Sequence, residues 1–300
     1  HAVARDGGLS GMETDNSDHV NDTSLEDHRI KSKLVHDPIE LELVLIRYGS
    51  TQWNKERRYL GCTDLPLLPV ALQQLSAIRG RSALSGEFWR VCCSDLRRCR
   101  ETLAAAAPAL EHQAIYDSRL REMDFGAWEG CTYEQLKDNK HYRSWIDDPE
   151  SVTPPGGEAW EEFAGRIDNF WTQLQREAVA AVAEVEAGVA AVAAGVVEGA
   201  EVGAESVAVE SVAGSVTPLI DADSMGPGVG NAKTDASGPE SAQGSAILRV
   251  LLVTHGGVIR QLLARIVEGM TFYTAAAPAP GEVTVMNLRR HEGIWSRIAR

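Results

Sequence analysis

LELVLIRYGSTQWN, running from Leu41 to Asn54, is the stretch whose reading decides the fold. Its first half is a nearly unbroken apolar run, the signature of a strand buried on both faces. Arg47 follows directly, and a guanidinium at the end of a buried strand is costly unless an anion or a carboxylate meets it. Gly49 then permits a tight turn in which backbone N–H groups approach a ligand. A second junction of the same kind lies far along the chain. LRVLLVTH (248–255) reads as another buried strand, and Gly256, Gly257 and the helical GVIRQLLARIV come straight after His255. A helix start beside a strand end favours anions. Buried strands alternating with helices predict an α/β domain with a largely parallel sheet, whose ligands gather at the carboxyl ends of the strands.

The intervening segments fit that plan. Pro69 to Ala83 carries apolar residues at helical spacing, with Pro69 suited to a first turn. RVCCS (90–94) is a short buried strand. Leu96 to Ala107 reads as a helix ended by Pro108, with Arg97, Arg98 and Arg100 at its start. Glu158 to Glu177 reads as an amphipathic helix introduced by Pro154, Pro155, Gly156 and Gly157. EVTVMNL and IWSRIA, near the end, are β-like. One arginine, one histidine and a helix N-terminus converging at a sheet edge would make a phosphate site.

The net charge is −14, but it sits in two stretches: residues 1–40 carry −5 and residues 177–248 carry −10, leaving the rest close to neutral. Such a balance is a poor match for a nucleic-acid binder, which needs a basic face. Residues 1–40, rich in Asp, Asn, Ser and Gly, read as a disordered acidic tail. Residues 178–245, Ala/Val/Glu/Gly and then Gly/Ser/Pro/Asp without an aromatic residue, read as a low-complexity insertion. It is a solvated linker or, as the second reading, a partner-binding arm. The folded domain is therefore expected over 41–300, interrupted by 178–245. Five cysteines, an odd number with neither a disulfide framework nor a paired zinc spacing, read as reduced thiols. No stretch has the form of a signal peptide, and Ala187 to Val197 is too short to span a bilayer, so a cytoplasmic location away from membranes is expected.

Taken together, four segments resemble the motifs of the histidine phosphatase superfamily, and they occur in that family's order. LVLIRYGSTQWN resembles the opening motif, whose usual form has R-H-G after the first strand. SDLRRCRETL resembles the second, LREMDFGAWEG the third and VTHGGVIRQLL the fourth. The resemblance frames residues 41–176 and 247–298 and implies the three-layer, phosphoglycerate mutase-like fold. It implies roles residue by residue. Arg47 and Arg98 would grip the phosphoryl oxygens, Glu122 would protonate the leaving oxygen, and His255 would hydrogen-bond the phosphoryl group. Thr51 and Asn54 would add auxiliary phosphate contacts. Neither a metal nor an organic cofactor is implied. The third motif resembles the phosphatase branch, and PGGEAWEEFAGRI resembles a segment of α-ribazole phosphatases and of general sugar-phosphate phosphatases. In TDLPLLPVALQQL, Leu68 and Ala71 stand where the family has Thr and Gly, and Ser50 replaces its commoner acidic residue.

The nucleophile position departs from the family, because Tyr48 stands where the histidine belongs. Neutral imidazole is a good nucleophile at pH 7 and a good leaving group afterwards. A phenol, with a reference pKa of about 10, is mostly protonated there. An aryl phosphate is also much harder to hydrolyse than a phosphoramidate, so severely reduced turnover is expected. Three explanations compete: a natural pseudophosphatase, a substituted residue (His and Tyr codons differ by one base), or takeover of attack by His255. Two functions follow: a phosphomonoesterase of impaired activity, most like α-ribazole phosphatase of the cobalamin pathway, or a silent relative binding a phosphorylated ligand or partner. The expected ligand is a small phosphorylated metabolite, and the oligomeric state is open between monomer and homodimer.

Overall fold

The computed structural model describes residues 39–193 and 247–299. Residues 1–38 of the acidic tail and residues 194–245 of the insertion lie outside the described residues. In chain order the elements are β1 (Ile39–Arg47), α1 (Gln52–Lys55), α2 (Pro69–Ala77), β2 (Arg90–Cys93), α3 (Arg97–Ala106), β3 (Ala114–Tyr116), α4 (Tyr133–Leu136), α5 (Lys140–Asp147), α6 (Trp160–Ala193), β4 (Ile247–Thr254), α7 (Gly256–Ile266), β5 (Val283–His291) and β6 (Ile294–Ile298). Short 3₁₀ turns join several of them.

The six strands form one sheet in the order β3-β2-β4-β1-β5-β6. The four from β3 to β1 are parallel, while β5 pairs antiparallel with β1 and β6 antiparallel with β5. Both faces are covered, which explains the unbroken apolar runs. Leu41, Leu43 and Leu45 of β1 and Leu248, Val250 and Leu252 of β4 pack on the side of α6 and α7. Val44 and Ile46, with Leu251 and Val253, pack on the other side with residues of α2 and α3. Arg47 pairs with Thr254 and Cys93 with Val253, so β1, β4 and β2 end almost level. That register brings Tyr48, His255 and Ser94 to one edge.

Several boundaries differ from the sequence reading. The fold begins at Ile39, because Ile39 and Glu40 already pair with β5 and are buried. α2 stops at Ala77, just before Gly80 takes a left-handed φ of 76°. The largest difference is α6, which continues past Glu177 to Ala193, into the stretch assigned to the insertion. Phe163, Ile167, Phe170, Leu174, Ala178 and Val182 recur at helical spacing and join the core, so Ala178 and Val182 extend the buried stripe of that helix. β3, α4 and α5 were not foreseen. α4 and α5 begin at side-chain caps, Thr132 and Asn139, and pack Leu136 and Tyr142 against Trp128 in a small aromatic core.

Candidate functional site

At the end of β1 the chain turns sharply. The Gly49 N–H donates to Thr102 Oγ1 of α3 at 3.0 Å, and a Cβ on Gly49 would come within 3.0 Å of Leu75 Cδ1. Glycine is needed there for close approach. Just before it, Tyr48 is 4 % exposed. Its ring centroid lies 5.1 Å from that of His255, with the Arg98 guanidinium carbon 4.8 Å and the Arg47 guanidinium carbon 6.0 Å from the ring centre. Its hydroxyl accepts a hydrogen bond from Asn54 Nδ2 at 3.2 Å.

Arg98 is fully buried on the first turn of α3. It donates to Thr63 O (2.9 Å) and Gly61 O (2.6 Å), and Nη2 lies 3.1 Å from His255 Nδ1. Because a guanidinium only donates, Nδ1 is the acceptor. Nε2 then carries the ring proton and donates to Ser94 Oγ at 2.8 Å, with Cys99 Sγ at 3.4 Å. Burial, followed by the charge of Arg98 and then of Arg166 and Arg47, pushes the imidazole pKa well below its ordinary value. His255 is thus neutral, with one tautomer selected.

The Gly256-Gly257 pair opens α7 and leaves room for two charged side chains. A Cβ on Gly256 would sit 3.2 Å from Arg47 Cζ, and one on Gly257 would overlap Glu122 Oε1. The Glu122 carboxylate accepts from the Gly257 N–H at 2.9 Å and from its neighbour's, Met123, at 3.0 Å. Arg47 donates from Nη1 to Pro278 O at 3.1 Å. The Nε–H groups of both Arg47 and Arg98 are buried without a partner. An unpaired buried donor costs ~1–3 kcal/mol, more when charged, so each of these guanidiniums suits an anionic partner.

Arg47, Tyr48, Arg98, Glu122 and His255 therefore share one neighbourhood, although they come from distant parts of the chain. Arg47 and Glu122 line a cavity of about 350 Å³, whereas Tyr48, Arg98 and His255 are sealed off from it. Thr51 and Asn54 form the capping box of α1, with Thr51 fully buried, and the Asn54 amide N–H donates to Tyr48. Arg97 pairs with Glu101 at 2.6 Å, and Arg100 lies over Tyr116. Among the described residues no group of His, Cys, Asp and Glu is arranged to hold a metal, and all five cysteines are free thiols.

Two supporting residues escaped the sequence reading. Arg166 of α6 donates to the carbonyls of Arg119, Arg121 and Glu122 (2.7, 2.6 and 3.0 Å) and pairs with Glu158, fixing the loop that presents Glu122. The Glu129 carboxylate accepts from the N–H groups of Cys62, Thr63 and Phe125, holding the loop whose carbonyls receive Arg98. The only signal was their place inside conspicuous segments, PGGEAWEEFAGRI and LREMDFGAWEG.

Residues 43–197 match the profile of the histidine phosphatase superfamily (branch 1). The chain belongs to that superfamily. Over 235 residues this histidine phosphatase is 32% identical to a Xenopus tropicalis protein named fructose-2,6-bisphosphatase TIGAR, covering 77% of this chain and 76% of that one. It is also 38% identical over 127 residues to a protein of Mycobacterium tuberculosis (strain ATCC 25618 / H37Rv) named bifunctional protein Rv2228c, covering 42% of this chain and 35% of the other. The match thus spans about a third of the mycobacterial relative's length. Among solved structures, a putative alpha-ribazole-5'-P phosphatase from Escherichia coli str. K-12 substr. MG1655 superposes with a TM-score of 0.55 at 19% identity, over 86% of this chain and 94% of that one. That likeness is one of fold. No helix among the described residues is long and apolar enough to cross a membrane.

Proposed function

We propose that this histidine phosphatase binds a small phosphomonoester and turns it over with severely reduced efficiency, because Tyr48 stands in the nucleophile's place. The observation that carries the reading is the pair of unpartnered, buried Nε–H groups on Arg47 and Arg98, whose guanidinium carbons lie 6.0 and 4.8 Å from the Tyr48 ring centre. In this reading the two guanidiniums hold the phosphoryl oxygens and stabilise their transition-state charge. Glu122, anchored at the start of α7, supplies the proton to the leaving oxygen. Once Arg98 Nη2 turns from Nδ1 to the anion, the ring proton shifts to Nδ1, from which His255 donates to the phosphoryl group while Nε2 accepts from the Ser94 hydroxyl.

Tyr48 acts against turnover in two ways. Its ring packs against both Arg98 and His255, and its hydroxyl is engaged by Asn54. A phosphotyrosine formed there would hydrolyse slowly. For the substrate, α-ribazole 5′-phosphate and a sugar phosphate such as fructose 2,6-bisphosphate are the two candidates, supported by the segment around Trp160 and by the relatives' names.

Phosphate release from both candidates and from p-nitrophenyl phosphate, measured for the parent chain beside Tyr48→His, tests the reading. Background-level turnover by the parent and a gain on the order of 10³-fold in the variant, equivalent to ~4 kcal/mol of barrier, are expected. Robust turnover by the parent would contradict it. So would a variant that neither hydrolyses any of the three nor binds inorganic phosphate.

A further inference from the structure

The cavity beside Arg47 and Glu122 is larger than an anion requires. Its volume of about 350 Å³ falls in the range of ~300–1,000 Å³ found for sites that enclose a whole small molecule. Away from its charged end the walls are aromatic, formed by Phe125, Trp145, Trp160, Phe163, Phe272 and Tyr273. Phe272 stands edge-on to Trp160 (centroids 4.8 Å, planes 84° apart) and to Tyr273 (5.4 Å, 81°). Trp160 and Tyr273 lie nearly parallel, with 15° between planes and 6.3 Å between centroids. Tyr273 is 54 % exposed, its hydroxyl donating to Glu150, and Arg260 brings its guanidinium carbon to 5.9 Å from the Phe272 ring.

These surfaces discriminate between bodies of different chemistry. A flat ring meets aromatic walls face-on or edge-on and gains from either geometry. A sugar offers such walls only its C–H face while its hydroxyls turn to solvent or the charged end, so it gains less from them than a flat ring does. Arg260 adds a cation that suits a π-face.

We propose that the site selects phosphomonoesters whose alcohol carries a flat aromatic or heteroaromatic ring, with the phosphate at Arg47 and the ring among Trp160, Phe272 and Tyr273. The proposal rests on the phosphomonoester reading above and narrows its substrate class, placing ring-bearing esters ahead of plain sugar phosphates.

Calorimetric titration of the full chain, and of Tyr48→His, with 1-naphthyl phosphate, glucose 6-phosphate and inorganic phosphate tests it. The naphthyl ester is expected to bind at least about tenfold more tightly than glucose 6-phosphate, equivalent to ~1.4 kcal/mol. That ratio should fall toward one in Trp160→Leu and in Tyr273→Ala, the latter at an exposed position where folding is not at stake. Equal affinities for the two esters, with inorganic phosphate still bound, would overturn the ring preference and leave the phosphomonoester reading standing. A naphthyl preference that survives both substitutions would overturn the assignment of these walls. No binding of any of the three by either protein would overturn both.

Discussion

The two halves of the sheet do different work. From β3 to β1 the strands are parallel, and their carboxyl ends deliver Tyr48, Ser94 and His255 to one edge. β5 joins β1 antiparallel and begins at that edge, with Val283 opposite Ile46, and β6 in turn pairs antiparallel with β5. β5 therefore contributes only the approach to its first residue: Pro278 O accepts from Arg47, and the Gly281 N–H donates to Arg47 O at 2.9 Å. For β5, strand direction carries its carboxyl end away from the site. The parallel strands β2, β4 and β1 are also the more deeply buried: Val250 to Thr254 of β4 are all inaccessible, while β5 buries Met286 and Leu288 and β6 buries Trp295.

If that division holds, damage in one half should leave the other's property alone. Leu288 lies against Leu41 in the core, and Leu288→Ala is expected to cost ~2–5 kcal/mol of stability. Denaturant unfolding would measure that loss, and affinity for inorganic phosphate under native conditions should stay unchanged. Phosphate affinity falling in step with stability would break the comparison. The opposite test is Gly257→Ala in the Tyr48→His background. Its new Cβ overlaps the Glu122 carboxylate, and general acid catalysis is typically worth ~10²–10⁴-fold. A drop in kcat of about 100-fold is expected, with KM nearly unchanged and the melting temperature close to that of its parent. An equal rise in KM would assign Glu122 to binding.

A smaller effect follows from the buried imidazole. The pKa of His255 is depressed in the folded protein, by burial first and the Arg98 charge second. Between that depressed value and the ~6.5 of an unfolded histidine, the unfolded chain binds the extra proton. Stability is accordingly complete above about pH 6.5 and declines as the pH falls below it. Melting temperatures followed from about pH 8 to about pH 5 should fall more steeply for the parent than for His255→Gln. Parallel curves would place the histidine in contact with solvent.

The sequence exposed the parallel half more fully than its supports. Arg98 lies one helical turn before Thr102, whose Oγ1 donates to Arg98 O at 2.7 Å while accepting from the Gly49 N–H. Glu122 and His255 were legible because each sits at a junction bearing a motif. Arg166 and Glu129 were not, since they act by bonding backbone groups of loops remote in sequence, which leaves no periodic trace. The far end of α6 was hidden for a different reason. Its Ala, Val and Gly residues carry mixed propensities, and the burial of Ala178 and Val182 decides the outcome. The capping box of Thr51 and Asn54, which also brings an amide to Tyr48, was not legible in the motif.

The central claim is that two guanidiniums from β1 and α3 meet one oxyanion. Titrating inorganic phosphate into the full chain and into Arg47→Met and Arg98→Met, each first shown to be folded, tests it directly. One phosphate per chain is predicted, with affinity reduced on the order of 10- to 100-fold in each variant, since hydrogen bonds to charged groups are worth ~1.5–3 kcal/mol. Undiminished binding in both variants, or none in the parent, would contradict the account.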